Sequence, residues 1–102
     1  MIIPTDDKVR KTIRIKRCLL DYFPDAIVEV ARLSYVANEQ HNPGTTPHWD
    51  REKSKDELDS LMNHLMDCGS MDTDGFLHDA KVAWRAMANL QKRIEDINYD
   101  KR

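Results

Sequence analysis

Phe76, Ala80, Ala83, Met87, Leu90 and Ile94 recur at spacings of four, three, four, three and four. Apolar residues at that period line one face of an α-helix, whereas along a strand they would scatter over both faces. The C-terminal third of the chain is therefore committed to a long amphipathic helix, expected over residues 76–97. The same period returns in shorter pieces upstream. Ala26, Val30, Leu33 and Ala37, spaced by four, three and four, set a helix over residues 24–40, with Glu29, Val36 and Gln40 along the edge of its stripe. Pro24 suits a first helical turn, Asp25 places an acid where the helix dipole favours it, and Asp21 is a nearby candidate cap. Pro43 disfavours helical geometry at Asn42, so this helix ends before Asn42-Pro43-Gly44.

Residues 41–51 read as an ordered loop, stiffened by Pro43, Gly44 and Pro47 and anchored by Trp49. A second helix is expected over residues 53–68, with Leu58, Leu61, Met62 and Leu65 as its buried stripe. Ser54 and Glu57 would form its capping box and Gly69 its C-terminal cap. An acidic link, Ser70-Met71-Asp72-Thr73-Asp74-Gly75, leads into the last helix. At the other end, residues 12–15 alternate like a short extended piece, and the stretch up to Asp7 reads as a loose tail. The fold class that follows is all-α, a small antiparallel helical bundle of about three main helices. A chain of 102 residues buries only roughly 60–70% of its unfolded surface, so the bundle is expected to be completed by oligomerisation. The expected division is a basic N-terminal arm over residues 1–19, a helical domain over 20–97 and a tail over 98–102.

Charge narrows the function classes. The net charge of −2 does not suit a strongly cationic nucleic-acid binder, so no nucleic-acid partner is expected. The distribution is uneven: Lys8, Arg10, Lys11, Arg14, Lys16 and Arg17 fall together, and acids dominate residues 50–79. The basic run reads as a solvated arm or as one that reaches a neighbouring subunit. Nothing approaches the run of about 18 apolar residues that a membrane span needs. The first residues lack the basic start and apolar stretch of a signal peptide, so a cytoplasmic protein with no membrane partner is expected. Cys18 and Cys68 fit no metal or redox spacing and are expected as small buried apolar residues.

Three groups of side chains are candidates for chemistry. Glu29 is an acid at the border of a core-facing stripe, a position from which it can also simply point to water. His64, with Glu57 two turns upstream and Asp67 nearby, flanks the stripe of the second helix, where a histidine is often only structural. Asp74, His78, Lys81 and Arg85, spaced by four, three and four, share the side of the last helix opposite its apolar stripe. That side is either a solvated polar face or a site in which a carboxylate and a histidine stand beside a metal and two cations receive phosphates. No G-x-x-x-x-G-K-[ST] loop, G-x-G-x-x-G fingerprint, C-x-x-C pair or nucleophile elbow is present. A nucleotide enzyme built on this chain has to work with helix-borne acids and a metal.

At this point the residues resemble a known family. Leu20-Asp21-Tyr22-Phe23-Pro24-Asp25-Ala26 through Glu29-Val30-Ala31 looks like the opening segment of the phage dATP/dGTP diphosphohydrolase family, a MazG-like, all-helical group that oligomerises. Asn38-Glu39-Gln40-His41-Asn42-Pro43-Gly44 and His48-Trp49 are similar to a form of its loop that ends in a tryptophan. Leu61-Met62-Asn63-His64-Leu65 resembles its second helix, and Asp72-Thr73-Asp74-Gly75 with His78 and Ala83-Trp84-Arg85-Ala86 resembles its acidic turn and last helix. The resemblance implies hydrolysis of a purine deoxynucleoside triphosphate to monophosphate and diphosphate with Mg²⁺ or Mn²⁺, in the host cytoplasm of a phage-encoded protein. It implies Glu29, His64, Asp74 and His78 as metal-site and catalytic residues and His41, Asn42, Trp49 and Lys53 as holding the purine nucleotide; Lys81 and Arg85, on the polar side of the last helix, are expected at its phosphates. The chain departs from the pattern in that the paired acid motifs (two acids three apart, twice) are not cleanly present in the expected helices, and in carrying Lys81 where many members have a second histidine. Those departures keep open an alternative, a protein that binds or sequesters a nucleotide or nucleotide signal without cleaving it.

Overall fold

The computed structural model describes residues 3–53 and 55–100. Its elements are α1 (Asp7–Arg10), a π-helical turn (Lys16–Leu20), α2 (Pro24–His41), a 3-10 turn (Arg51–Lys53), α3 (Glu57–Met66) and α4 (His78–Asp100). The all-α class holds, with three long helices and no strand among the described residues; the only ladder-like pairing described is an isolated bridge between Met71 and Leu77.

α4, at 23 residues, is the element on which the others are assembled. α3 lies antiparallel along it, α2 packs against its first turns, and α2 and α3 do not pack on one another. The core sits where α2 meets the turn before α4. Phe76, only 2% exposed, packs with Leu33 and Ala80, and Val36 and Trp84 close over them. The Arg32 guanidinium lies 4.5 Å from the Phe76 ring centre, a cation–π contact across the same seam. Trp84 donates its indole N–H to the Ser34 hydroxyl at 2.6 Å, which fixes the rotation of α4 against α2.

The loop after α2 is ordered, as its composition predicts, and the residue that holds it is Asn38. Buried at 5% exposure, Asn38 donates to the carbonyl and the hydroxyl of Thr45 and accepts from the His48 backbone N–H, all at 3.3 Å. Gly44 takes φ +79° to make the reversal, a conformation that side-chain-bearing residues rarely adopt. Trp49 then meets Trp84 edge-to-face at 5.8 Å, which ties the far end of the loop to α4.

Several local expectations are corrected. Residues 12–15 do not form an extended piece: Thr12 closes a turn onto Val9, and from Ile15 the chain enters the π-helical turn. Asp7 begins a one-turn helix capped by Asp6, whose carboxylate accepts the Lys8 N–H at 2.8 Å. Asp21 does not cap α2; it pairs with Lys16 at 3.1 Å, and Phe23 occupies the cap position. α3 begins at Glu57, behind Asp56, so the expected first turn is absent, and Ser54 lies outside the described residues. Cys18 and Cys68 are exposed free thiols rather than buried ones. Most of the predicted α3 stripe is also exposed, at Leu58, Met62 and Leu65, and so is the second half of the α4 stripe. In this chain α3 turns Glu57 and His64 toward α4 instead.

Candidate metal and phosphate site

The chemistry-bearing side chains gather in two places along α4. The first is at its N-terminus, where the acidic turn delivers residues 72–78 against the end of α3. The turn is closed by its own backbone: Asp72 N–H donates to the Phe76 carbonyl at 2.7 Å and His78 N–H to the Ser70 carbonyl at 3.1 Å. Gly75 permits the reversal with φ +86°. Asp79 accepts the Gly69 N–H at 2.7 Å and joins the start of α4 to the end of α3.

This closure brings His64 of α3 and His78 of α4 face to face, with their Nδ1 atoms 2.9 Å apart. One ring must donate there and the other accept, so at least one histidine is a neutral tautomer. Burial lowers the His64 pKa, and the neighbouring Lys81 and His78 charges push it further the same way. A neutral imidazole is the form that ligates metal. Asp72 Oδ2 lies 3.8 Å from His78 Nδ1, and ligand atoms of His64, Asp72 and His78 all fall within 4.8 Å of one another.

Lys81, one turn further along α4, closes the group. Its ammonium is in direct contact with Asp72 and lies 2.7 Å from Asp74. Burial opposes its charge, but the hydrogen bonds to the two aspartates outweigh it and raise the Lys81 pKa. The same lysine, helped by the Thr73 backbone N–H, holds Asp72 at about 2, far below an ordinary carboxylate. Asp74 is likewise lowered, first by Lys81, and its other oxygen accepts the Phe76 N–H at 3.2 Å.

The second place lies about two turns along α4. Glu57, 5% exposed, receives Arg85 at 3.2 Å and Lys92 at 3.5 Å. A buried carboxylate of this kind requires cations around it. Beside it the Trp49 ring lies under Arg51 at 4.5 Å and Lys92 at 5.4 Å, and its buried indole N–H has no hydrogen-bond partner among the described residues. Arg51 also bridges to Glu95, which tethers the 3-10 turn to the second half of α4.

Of the predicted site residues, the fold brings His64, His78, Asp74 and Lys81 into one cluster and sets Arg85 one turn away. Asp74 stands in the turn rather than on the helix, so the carboxylate beside the histidines is Asp72, which the spacing argument passed over. Glu29 is held by Arg32 at 3.2 Å on α2 and is not among the converging ligand atoms. Asn42 donates to Asp50 at 2.8 Å within the loop, His41 ends α2, and Lys53 ends the exposed 3-10 turn. Trp49 belongs to the second group. Among the described residues no helix is long and apolar enough to cross a membrane. In comparisons with protein-family models, curated proteins and solved structures, nothing matches the chain.

Proposed function

We propose that this chain hydrolyses purine deoxynucleoside triphosphates, dATP or dGTP, to monophosphate and diphosphate with a divalent metal. The observation that carries the reading is the convergence of His64, Asp72 and His78 beside the cation Lys81. Two imidazole nitrogens and one carboxylate oxygen fit a divalent ion. Of the two expected metals they suit Mn²⁺ better than Mg²⁺, which prefers oxygen ligands. An ion bound there would supply charge against the phosphate oxygens.

The chain's own residues divide the remaining work. Lys81 exchanges Asp74 for a phosphate oxygen, since its two carboxylate partners already fix the ammonium at the mouth of the turn. Arg85 stands one turn further along α4, held by Glu57, where a planar guanidinium would meet the charge developing on the leaving diphosphate. The Trp49 ring, beside Arg51 and Lys92, supplies an aromatic wall for a purine. The partners in this reading are a purine nucleotide and a further copy of the chain, in the cytoplasm.

A second reading is capture without cleavage. It is favoured by Lys81, which already neutralises the carboxylate that an ion would use, and by Glu29, which is engaged by Arg32 away from the histidines. One experiment separates the two. Protein is incubated with a panel of deoxy- and ribonucleoside triphosphates and Mn²⁺, and the products are resolved by chromatography. The expected result is monophosphate from dATP or dGTP, lost in His78→Ala and Asp72→Asn. No product from any nucleotide, even at protein concentrations matching the substrate, sinks the hydrolase reading. Recovery of intact nucleotide from the denatured complex then supports capture.

A further inference from the structure

We infer that the stretch from Lys8 to Phe23 is a docking surface for an anionic lipid membrane, engaged at the headgroups without a spanning segment. This goes beyond the nucleotide reading and stands whether or not that reading does. Residues 8–17 carry six cations and no acid, although the whole chain has a net charge of −2. Among the described residues only Lys16 of the six makes an ion pair, with Asp21 at 3.1 Å. Lys8, Arg10, Lys11, Arg14 and Arg17 are exposed to solvent. Four of these cations, Arg10, Lys11, Arg14 and Arg17, join Ile13 and Ile15 in lining an open hollow of about 400 Å³. Positive charge is thus concentrated around an apolar floor, and the acids of the chain leave most of it unanswered.

Charge alone suits any polyanion, and the apolar side chains choose among them. Ile13, Ile15, Leu19, Leu20, Tyr22 and Phe23 are all between 40% and 65% exposed. Tyr22 and Phe23 stand edge to face, with ring centres 6.0 Å apart. A nucleic acid offers phosphates to the cations and flat bases to the rings, but nothing that buries isoleucine and leucine. A bilayer surface offers partners for every part of the stretch. Its acidic headgroups meet lysine and arginine, the acyl boundary beneath takes the aliphatic chains, and aromatic rings settle at the level of the headgroups.

The fold leaves the stretch free to do this. α1 packs on no other helix, and the π-helical turn touches only α2. α3, whose Glu57 and Asp59 belong to the acidic stretch, does not pack on either. At physiological salt the repulsion from a net-negative body is screened beyond about 8 Å. The sequence argument against a membrane partner concerned spanning segments and signal peptides. Binding from the side requires neither, only a basic patch and apolar groups acting together.

The test is flotation of the full chain with vesicles of phosphatidylcholine, either alone or mixed with phosphatidylglycerol. Binding is expected to the anionic vesicles only, and should weaken steeply as salt rises. A chain of net charge −2 is repelled by such vesicles in bulk, so retention reports the local patch. Each basic residue near an anionic surface is worth about fivefold in partitioning, so Arg14→Gln with Arg17→Gln should weaken binding roughly 25-fold. Ile13→Ser with Ile15→Ser should weaken it roughly tenfold at unchanged charge, a loss that a purely ionic contact would not show. A polarity-sensitive dye on Cys18, in a Cys68→Ser chain, should shift to the blue on anionic vesicles. The same dye on Cys68, in a Cys18→Ser chain, should not, although exposed Leu65 and Met66 lie close by in sequence. Absence of wild-type binding to anionic vesicles at low salt overturns the proposal, and so does a blue shift confined to Cys68. Tighter binding to a single-stranded oligonucleotide, unaffected by Ile13→Ser with Ile15→Ser, also overturns it and makes the stretch a nucleic-acid arm. Wild-type flotation decides the matter even if a variant fails to fold.

Discussion

Phe76→Ala strikes the one large side chain among the described residues that the fold buries almost completely. Phe76 fills the space between Leu33 and Ala80, receives the Arg32 guanidinium on its face, and presents its backbone carbonyl to Asp72 within the turn that carries the site. Truncating a buried phenylalanine to alanine removes its transfer energy and leaves a cavity, together about 3–5 kcal/mol. Losing the cation–π partner adds about 0.5–1 kcal/mol. A domain of this length has about 5–15 kcal/mol in total, so the variant should sit at the edge of unfolding at room temperature. At about 4–8 °C per kcal/mol, the expected fall in Tm is roughly 15–50 °C. The measurement is urea and thermal unfolding followed by circular dichroism, at one fixed protein concentration because self-association would shift the midpoint. Phe76→Leu, which keeps much of the volume, should lose roughly a third as much. A loss below about 1.5 kcal/mol for Phe76→Ala would mean that the core is not where this packing puts it.

Three further outcomes follow from the same geometry. Asp72→Asn removes the carboxylate nearest the histidines, so Mn²⁺ affinity, read by calorimetry, should fall roughly 10–100-fold, while Glu29→Gln should leave it unchanged. Glu95 is held at about 2, chiefly by Arg51 and then by Gln91, against an ordinary value of 4.5. Because its folded value is the lower one, the stabilisation is complete above about pH 4.5 and is lost as pH falls toward 2. Urea midpoints across that window should therefore show a shallower acid decline in Glu95→Gln than in the wild type. Both cysteines are exposed, and the Cys68 thiol is raised by desolvation and then by the charge of Asp79. Labelling of the native protein with a disulfide reagent at pH 7.5 should modify both thiols, Cys18 ahead of Cys68; protection of Cys18 would contradict its exposure.

What the sequence made legible was the part of the fold written in local period and punctuation. Pro24 and the Asn42-Pro43 break bounded α2 to within one residue, and the stripe from Phe76 onward marked α4. Elements settled by distant partners were not legible. Glu57 reads locally as the far half of a capping box, yet it is drawn into the interior by Arg85 and Lys92, which lie 28 and 35 residues away. Leu58, Met62 and Leu65 read as a core stripe because periodicity finds an apolar face without saying which molecule covers it. The site shows the same division. His64 and His78 were singled out and do meet. Asp72 was missed because counting Asp74 in helical register with His78 assumes a helix that begins before residue 78. Asp72-Thr73-Asp74-Gly75 is a turn, and in a turn the acid that faces the histidines is not the one in step with them. Two acids around a threonine ahead of a glycine were the available signal, since such a run is turn chemistry before it is helix chemistry.

The contact of Lys81 with Asp72 and Asp74 gives the turn an internal stand-in for an ion. Many small metal centres assemble only when the ion arrives, because mutually repelling ligands cannot otherwise be gathered. Here a tethered ammonium gathers the two carboxylates and keeps them ionised, so the loop between α3 and α4 reaches its shape without assistance from solution. The shape of the turn therefore does not depend on an ion: a chelator should leave the helices intact, and on the proposed reading a dication would have to compete with Lys81 for Asp72.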